Sequence, residues 1–247
     1  MVTMGEIYSI TMYELEKNWC RIIIFPLIVL TIGYGLAVPK FIGYTPISST
    51  RVLAVFGLTR ALSMLGLIRF LITIITPAIS FGGDIHSGSV KVLLSLPVNR
   101  RNVFMVKALL GLLVLYSSFA IPLILVSWLI LDASTNILLT VLMFNFIRTL
   151  FNWSVAVICS IILARVTLPL LVSGIILLST DIVGNSQLSP LNESIYYEYV
   201  ARYVVGSILG VYQQERELLE LTSTVLIVIA ITLLISSYII FLKRDFD

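Results

Sequence analysis

This 247-residue chain has few charged side chains and lacks the residues from which most reactive centres are built. Charged residues make up 12% of it, and it has a single histidine, His86, and two cysteines. The sequence contains no G-x-x-x-x-G-K-[ST] phosphate loop and no H-E-x-x-H helix, and one isolated histidine is too few for a metal site made of protein ligands. These absences predict that the chain is not an enzyme and binds no cofactor or metal of its own.

The chain is rich in apolar residues, and these form long runs. Apolar residues make up 59% of the sequence and the mean hydropathy is +1.06, well above the roughly half-apolar composition of soluble domains. The charges are gathered between uncharged runs that approach the ~20 residues needed to cross about 30 Å of hydrocarbon. This pattern predicts an all-α integral membrane protein with one transmembrane domain over residues 1–247.

The uncharged runs predict six transmembrane helices. The fifth run is the shortest, because only fifteen residues separate Arg165 from Asp181, and it reaches spanning length only if residues 181–183 are included. A loop is expected over residues 39–60. The predicted spans are about 22–38, 61–81, 108–131, 137–163, 166–183 and 223–242.

Two segments outside the spans are predicted to lie at the membrane surface. Residues 5–21 have an apolar stripe at helical spacing, which is typical of an interfacial helix, and an irregular tail is the alternative. Residues 181–222 have acidic ends around an apolar, tyrosine-rich centre, which predicts short interfacial or re-entrant helices between the fifth and sixth spans. The stripe in the first segment consists of Tyr8, Met12, Leu15, Trp19 and Ile22.

The distribution of basic residues predicts the orientation of the chain. Six spans place both termini on one side, and that side collects nine Lys and Arg residues against five on the other. Basic residues concentrate on the cytoplasmic side of membrane proteins, so the chain is predicted to be a multi-pass plasma-membrane protein with both termini in the cytoplasm. The nine are Lys17, Arg21, Lys91, Arg100, Arg101, Lys107, Arg165, Lys243 and Arg244, and the five are Lys40, Arg51, Arg60, Arg202 and Arg216.

Two arginines, Arg69 and Arg148, fall inside predicted spans. An arginine at the bilayer centre costs about 2.5–3.5 kcal/mol by insertion scales, so each needs a partner, a cavity or the interface. One interpretation makes them anion-attracting groups that line a transport path. The other has them pair with backbone carbonyls or extend to the interface. Apart from Asp181, no carboxylate lies inside a predicted span, which disfavours an ion-coupled carrier.

The basic segment over residues 81–107, between the second and third spans, is the most distinctive part of the sequence. Asp84 is placed to cap a helix with its body over residues 85–95, and Pro97 ends that helix. A short amphipathic helix of this kind suits a groove on a soluble partner, and a plain interfacial linker is the alternative. The predicted apolar stripe consists of Ile85, Val92, Leu93 and Leu96.

The order F-x-x-D-x-x-x-G-S-V-K-V-L-L-S-L-P-V-N-R, with a lysine seven residues later, resembles the cytoplasmic signature of the ABC-2 type permease family. In that family an acidic residue follows the second span. Gly-Ser or Gly-Thr, a leucine-rich stretch and Pro-Val-x-Arg then precede a lysine that opens the third span. The matching residues are Asp84, Gly88, Ser89, Leu93, Leu94, Pro97, Val98, Arg100 and Lys107.

The resemblance implies the membrane subunit of an ATP-binding cassette exporter. It implies that the helix over residues 84–96 couples to a separate ATPase chain, which would hold ATP and magnesium, and that two permease subunits pair as a homodimer or a heterodimer. Nucleic acid is not a predicted partner, because the sequence has no basic tail and no basic face with interleaved aromatic residues. The alternatives are a secondary carrier and a non-transporting assembly or sensor subunit.

Overall fold

The computed structural model describes residues 4–15, 26–37, 50–95, 98–131, 134–183, 192–210 and 215–244. Every regular element in these ranges is helical, so the predicted all-α class is confirmed for them. Two π-helical segments occur: Ala78–Gly83 joins α4 to α5, and Ser127–Leu131 extends α7. The α-helices are α1 Met4–Glu14, α2 Pro26–Ala37, α3 Thr50–Met64, α4 Gly66–Pro77, α5 Asp84–His86, α6 Ser89–Ser95, α7 Arg100–Val126, α8 Thr135–Leu163, α9 Thr167–Val183, α10 Glu193–Leu209 and α11 Glu215–Lys243.

Four helical stretches in the described residues are long and apolar enough to cross a membrane. They correspond to the predicted second, third, fourth and sixth spans. The predicted first and fifth spans coincide with α2 and α9, which are shorter apolar helices, so the count of six stays a prediction. The four stretches are Gly66–His86, Arg100–Ile130, Thr135–Leu163 and Arg216–Lys243.

The loop predicted over residues 39–60 is wrong for its second half, because α3 begins at Thr50. The basic residues of this stretch suggested a loop in the sequence, but Ala54, Val55 and Leu58 are fully buried and α3 packs on α10. Only Leu65 interrupts the passage from α3 to α4, and the backbone hydrogen bond from Arg69 N–H to the Leu65 carbonyl (3.0 Å) continues the helical direction. Residues 39–49, like residues 16–25 of the predicted interfacial helix and first span, lie outside the described residues.

The central element of the bundle is α8. It contains neither glycine nor proline, which favours one unbroken helix over its 29 residues. It contacts α4, α7, α9, α10 and α11, and Trp153, Ala156 and Val157 on it are fully buried. It ends at Ala164, whose backbone is left-handed with φ of 49°. Polar side chains on α8 therefore face neighbouring helices.

The bundle has two ends that the contacts define. At the first, which we call the α5–α6 end, Arg100 at the start of α7 donates to the Arg244 carbonyl at 3.1 Å, just beyond α11. Arg244 in turn donates to the Ile161 carbonyl near the end of α8. At the opposite, α10 end, the start of α8 and the last turns of α10 border a cleft of ≈ 280 Å³.

Candidate functional site

A buried lysine lies at the α5–α6 end. The Lys107 ammonium group on α7 lies 2.5 Å from an Asp84 carboxylate oxygen and 2.7 Å from a Glu14 carboxylate oxygen. It also donates to the Ser80 carbonyl at 3.2 Å. The Lys107 side chain is 0% exposed, and both acidic residues are buried. We call these four residues the lysine cluster. They join α1, the π-helical segment, α5 and α7 through two hydrogen bonds of the ammonium, to Asp84 and Ser80, and an ion pair with Glu14.

The prediction that Asp84 caps a helix is wrong. Its backbone is α-helical, with φ of −70° and ψ of −35°, and it lies inside the continuous helix Gly66–His86. Its side chain pairs with Lys107, which the sequence signature also contains. Gly83 before it is helical as well, so Asp84 is not at a helix start, and no side-chain cap is made there.

The predicted coupling segment is divided at one glycine. Gly88 has a left-handed backbone with φ of 74°, which separates α5 from α6. Ser89 begins α6, and its hydroxyl lies 2.9 Å from the Ser87 hydroxyl. Glycine adopts a positive φ at little cost. Here the left-handed residue changes which side chains of the following helix, α6, face the bundle.

This break makes part of the predicted apolar stripe wrong. Val92 is 67% exposed, whereas Leu93 is 4% exposed and Val90 is buried beside it. Leu94 is half-buried, and Leu96 and Pro97 lie outside the described residues. The inner face of α6 is therefore Val90 and Leu93, and Val92 is on the side open to a partner.

The start of α7 agrees with the sequence. Asn99 is extended, with φ of −76° and ψ of 128°, and α7 begins at Arg100. Arg100 is exposed and contacts Arg244, whereas Lys107 two turns later is buried. Of the two basic residues in the signature, one is therefore on the surface and the other is inside the bundle.

A second set of buried polar groups lies toward the α10 end. Arg69 on α4 donates to the Asn145 side-chain oxygen at 2.5 Å and to the Tyr197 hydroxyl at 2.8 Å. It also lies 3.3 Å from a Glu193 carboxylate oxygen. Its guanidinium lies 5.5 Å from the centre of the Phe119 ring, within the range of a cation–π contact. Arg69 is 3% exposed, so protein groups replace its hydration.

Arg148 on α8 continues this set. Its guanidinium lies 2.9 Å from an Asp181 carboxylate oxygen, and the same oxygen accepts the Glu193 backbone N–H at 3.1 Å. Asn192 caps α10 by accepting from the Ser194 N–H at 2.9 Å. A carboxylate at a helix N-terminus is favourable because of the helix dipole. We call the following set the arginine network: Arg69, Asn145, Arg148, Asp181, Glu193 and Tyr197.

The two arginines therefore have protein partners in this conformation. Neither the backbone-carbonyl interpretation nor the path-lining one describes them fully: Arg69 does donate to the Leu62 carbonyl at 3.3 Å, but the shorter contacts are to side chains. Burial raises the pKa of the Tyr197 hydroxyl above its ordinary value, so that it stays protonated and donates to Asn145 at 2.9 Å. A path-lining role for Arg69 and Arg148 stays a prediction.

Several members of these clusters were not found from the sequence. Glu14 lies off the apolar stripe predicted for residues 5–21, and nothing in its local pattern indicates Lys107 as a partner. Asn145 is one amide in a long apolar run, and its only signal is its position one turn before Arg148. Glu193 was read as one of several acidic residues of an outer segment. Long-range packing, rather than local spacing, brings these residues to their partners.

In the described part of the chain, no group of three His, Cys, Asp or Glu side chains is arranged to hold a metal ion. Compared with known proteins, the chain matches no family model and no curated protein. The ABC-2 permease family therefore stays a prediction that rests on the sequence of residues 81–107.

Proposed function

We propose that this chain is the transmembrane permease subunit of an ATP-binding cassette transporter, an exporter in which a separate ATPase subunit docks on α5 and α6. The observation that carries the proposal is the lysine cluster. It ties the exposed segment that begins at Asp84 directly to α7 and to the helix that carries Arg69. A partner that displaces α5 and α6 would thus act on two membrane helices at once.

In this proposal the chain crosses the plasma membrane six times, with both termini in the cytoplasm. The α5–α6 end would then be cytoplasmic and the α10 end would be outside. The exposed basic residues Arg100, Arg101 and Lys243 fit the cytoplasmic assignment. The α10 helix would re-enter the outer half of the bilayer, since its first turn contacts Arg69 and Asp181.

Two kinds of partner follow from the proposal. The ATPase subunit would hold ATP and magnesium and would contact Val92 and the neighbouring exposed surface of α6. A second permease subunit, identical or related, would complete the transport path between the two membrane domains. Site roles are assigned accordingly: Asp84, Gly88 and Lys107 set the position of the docking segment, and Ser89, Leu93, Leu94, Pro97 and Arg100 belong to it.

The first test is purification of the chain from its native membrane in mild detergent, followed by identification and ATPase assay of the proteins that accompany it. A stoichiometric ATP-binding subunit is the expected result. If no such subunit accompanies the chain in any of several mild detergents, the proposal fails.

A sharper test compares two neighbouring residues of α6. Val92→Glu is expected to abolish ATPase recruitment and transport while the chain still inserts and folds, because Val92 is 67% exposed. Leu93→Glu buries a carboxylate without a partner and is expected to lower the melting temperature of the purified chain as well. The docking assignment is wrong if Val92→Glu leaves recruitment intact.

One observation favours a second candidate, a secondary carrier. The Asp181 carboxylate pairs with the buried Arg148 toward the α10 end, and ionisable residues within membrane segments are typical of ion pathways. Transport that continues after ATP is exhausted, and that stops when the ion gradient is dissipated, would favour the carrier. Transport that stops with ATP would favour the permease.

A further inference from the structure

The π-helical segment Ala78–Gly83 separates the two buried clusters along one helix. Arg69 lies before it and Asp84 directly after it, about 20 Å apart at the α-helical rise of ~1.5 Å per residue. A π-helical turn holds one residue more than an α-helical turn of the same span, and such turns are rare and often functional. The position of Asp84 relative to Arg69 is therefore set by how this segment is wound.

Two contacts from outside the segment adjoin it, one from Lys107 and one from Arg165. At the end of the segment the Asp84 N–H makes a tight bond to the Phe81 carbonyl, three residues back, and so is not donated to the Ser80 carbonyl, four residues back, as it would be in a regular α-helix. The Ser80 carbonyl instead accepts from the Lys107 ammonium at 3.2 Å. Gly82 contacts the Arg165 backbone so closely that a Cβ built on it would collide with the Arg165 carbonyl oxygen.

We propose that Ala78–Gly83 is a register joint: Lys107 keeps it wide, and it closes to an α-helix when Lys107 releases the Ser80 carbonyl. In the closed form each N–H of the segment would bond four residues back, so the Asp84 N–H would donate to the Ser80 carbonyl. The residues that follow would turn by about 100° and shift by about 1.5 Å relative to α4. A displacement of α5 and α6 that pulls Asp84 and Lys107 apart would thereby change which face of α5 meets α7.

The role of the joint in transport rests on the proposed function, but the existence of the joint does not. The first experiment removes the surplus residue by deleting Ile79, which is half-buried. Since the flanking helices would keep their register, the deletion is expected to leave a monodisperse, folded protein in detergent. The matched control deletes Leu71, an exposed residue of α4, where no surplus residue exists. That deletion rotates Asp84 away from Lys107, and the protein is expected to lose its monodisperse, folded form in detergent.

If deletion of Ile79 is as damaging as deletion of Leu71, the joint does not exist.

The second experiment closes the joint with every residue retained. The combined variant Glu14→Gln, Asp84→Asn and Lys107→Met removes the ammonium together with both carboxylates, so that no buried charge is left unpaired. Single cysteines at Ile85 and His86 are introduced after Cys20 and Cys159 have been replaced. With the native cluster, the exposed position 86 should react faster with a water-soluble maleimide than the half-buried position 85. In the combined variant the order should reverse.

The control for the second experiment is Lys91→Met in the same cysteine background, since Lys91 is an exposed lysine of α6. It should keep the native order of reactivity. The proposal is overturned if the combined variant also keeps the native order of reactivity.

If the proposed function holds, deletion of Ile79 should in addition abolish ATP-dependent transport while leaving the chain folded. If wild-type transport does not depend on ATP, the proposed function fails, and the joint is judged on folding and labelling alone.

Discussion

The lysine cluster and the arginine network are both buried polar clusters in an apolar bundle, but their charges are balanced differently. The lysine cluster places one ammonium between two carboxylates. The arginine network places two guanidinium groups against two carboxylates, with Asn145 and Tyr197 as neutral partners. A buried charge is costly unless it is paired. The first cluster thus depends on a single cation, whereas the second distributes its charge over four groups.

The clusters also differ in what they connect. The lysine cluster links α1 and α7 to the segment that leads to the exposed residues of α6. The arginine network links α4, α8, α9 and α10, and it lies toward the α10 end of the bundle. In the proposed transporter the first would respond to a soluble partner, and the second would fix the outer part of the fold. Substitutions that break each cluster separately can test this division.

The largest effect is expected from Lys107→Met. It leaves the Asp84 and Glu14 carboxylates buried without their cation, and removing one partner of a buried ion pair costs about 3–5 kcal/mol. The measurement is the melting temperature of the purified protein in detergent. Lys91→Met is the control, since Lys91 is exposed, and it should leave the melting temperature unchanged. A Lys107→Met protein as stable as the control would contradict the role of the cluster.

A smaller loss is expected from Arg69→Met. It removes hydrogen bonds of a charged donor to Asn145 and Tyr197, which are worth about 1.5–3 kcal/mol. Glu193 then loses its cation, but its side chain is 10% exposed and can reach water more easily than Asp84 can. Adding Glu193→Gln should recover part of the loss in melting temperature. If the double variant is less stable than Arg69→Met alone, the two residues are not coupled as the distance indicates.

The smallest effect is expected from Glu14→Gln. It removes the surplus carboxylate of the lysine cluster while keeping an acceptor oxygen, so the cost should stay near about 1 kcal/mol. Asp181→Asn is the matched substitution in the arginine network, and it leaves two guanidinium groups with one carboxylate. It should therefore lower the melting temperature more than Glu14→Gln does. The opposite order would show that charge balance does not govern the two clusters.

Much of the fold could be predicted from the sequence because it depends on local patterns. Uncharged runs of sufficient length predicted the four long helices, and the class is confirmed in the described residues. The loop before residue 61 was predicted wrongly over residues 50–60. Its basic residues suggested a loop, whereas Ala54 and Leu58 of α3 are buried in the bundle, where α3 packs on α10.

The sequence by itself determined that this chain forms long apolar helices and that Arg69, Arg148 and Lys107 would need partners if buried. It also determined where Gly88 could break a helix, since a positive φ favours glycine. Only the tertiary structure decided the partners: Tyr197 lies 128 residues from Arg69 along the chain, and Glu14 is likewise remote in sequence from Lys107. Helix periodicity is a local property, whereas a buried charge is paired by whichever side chain the packing of distant helices brings within reach.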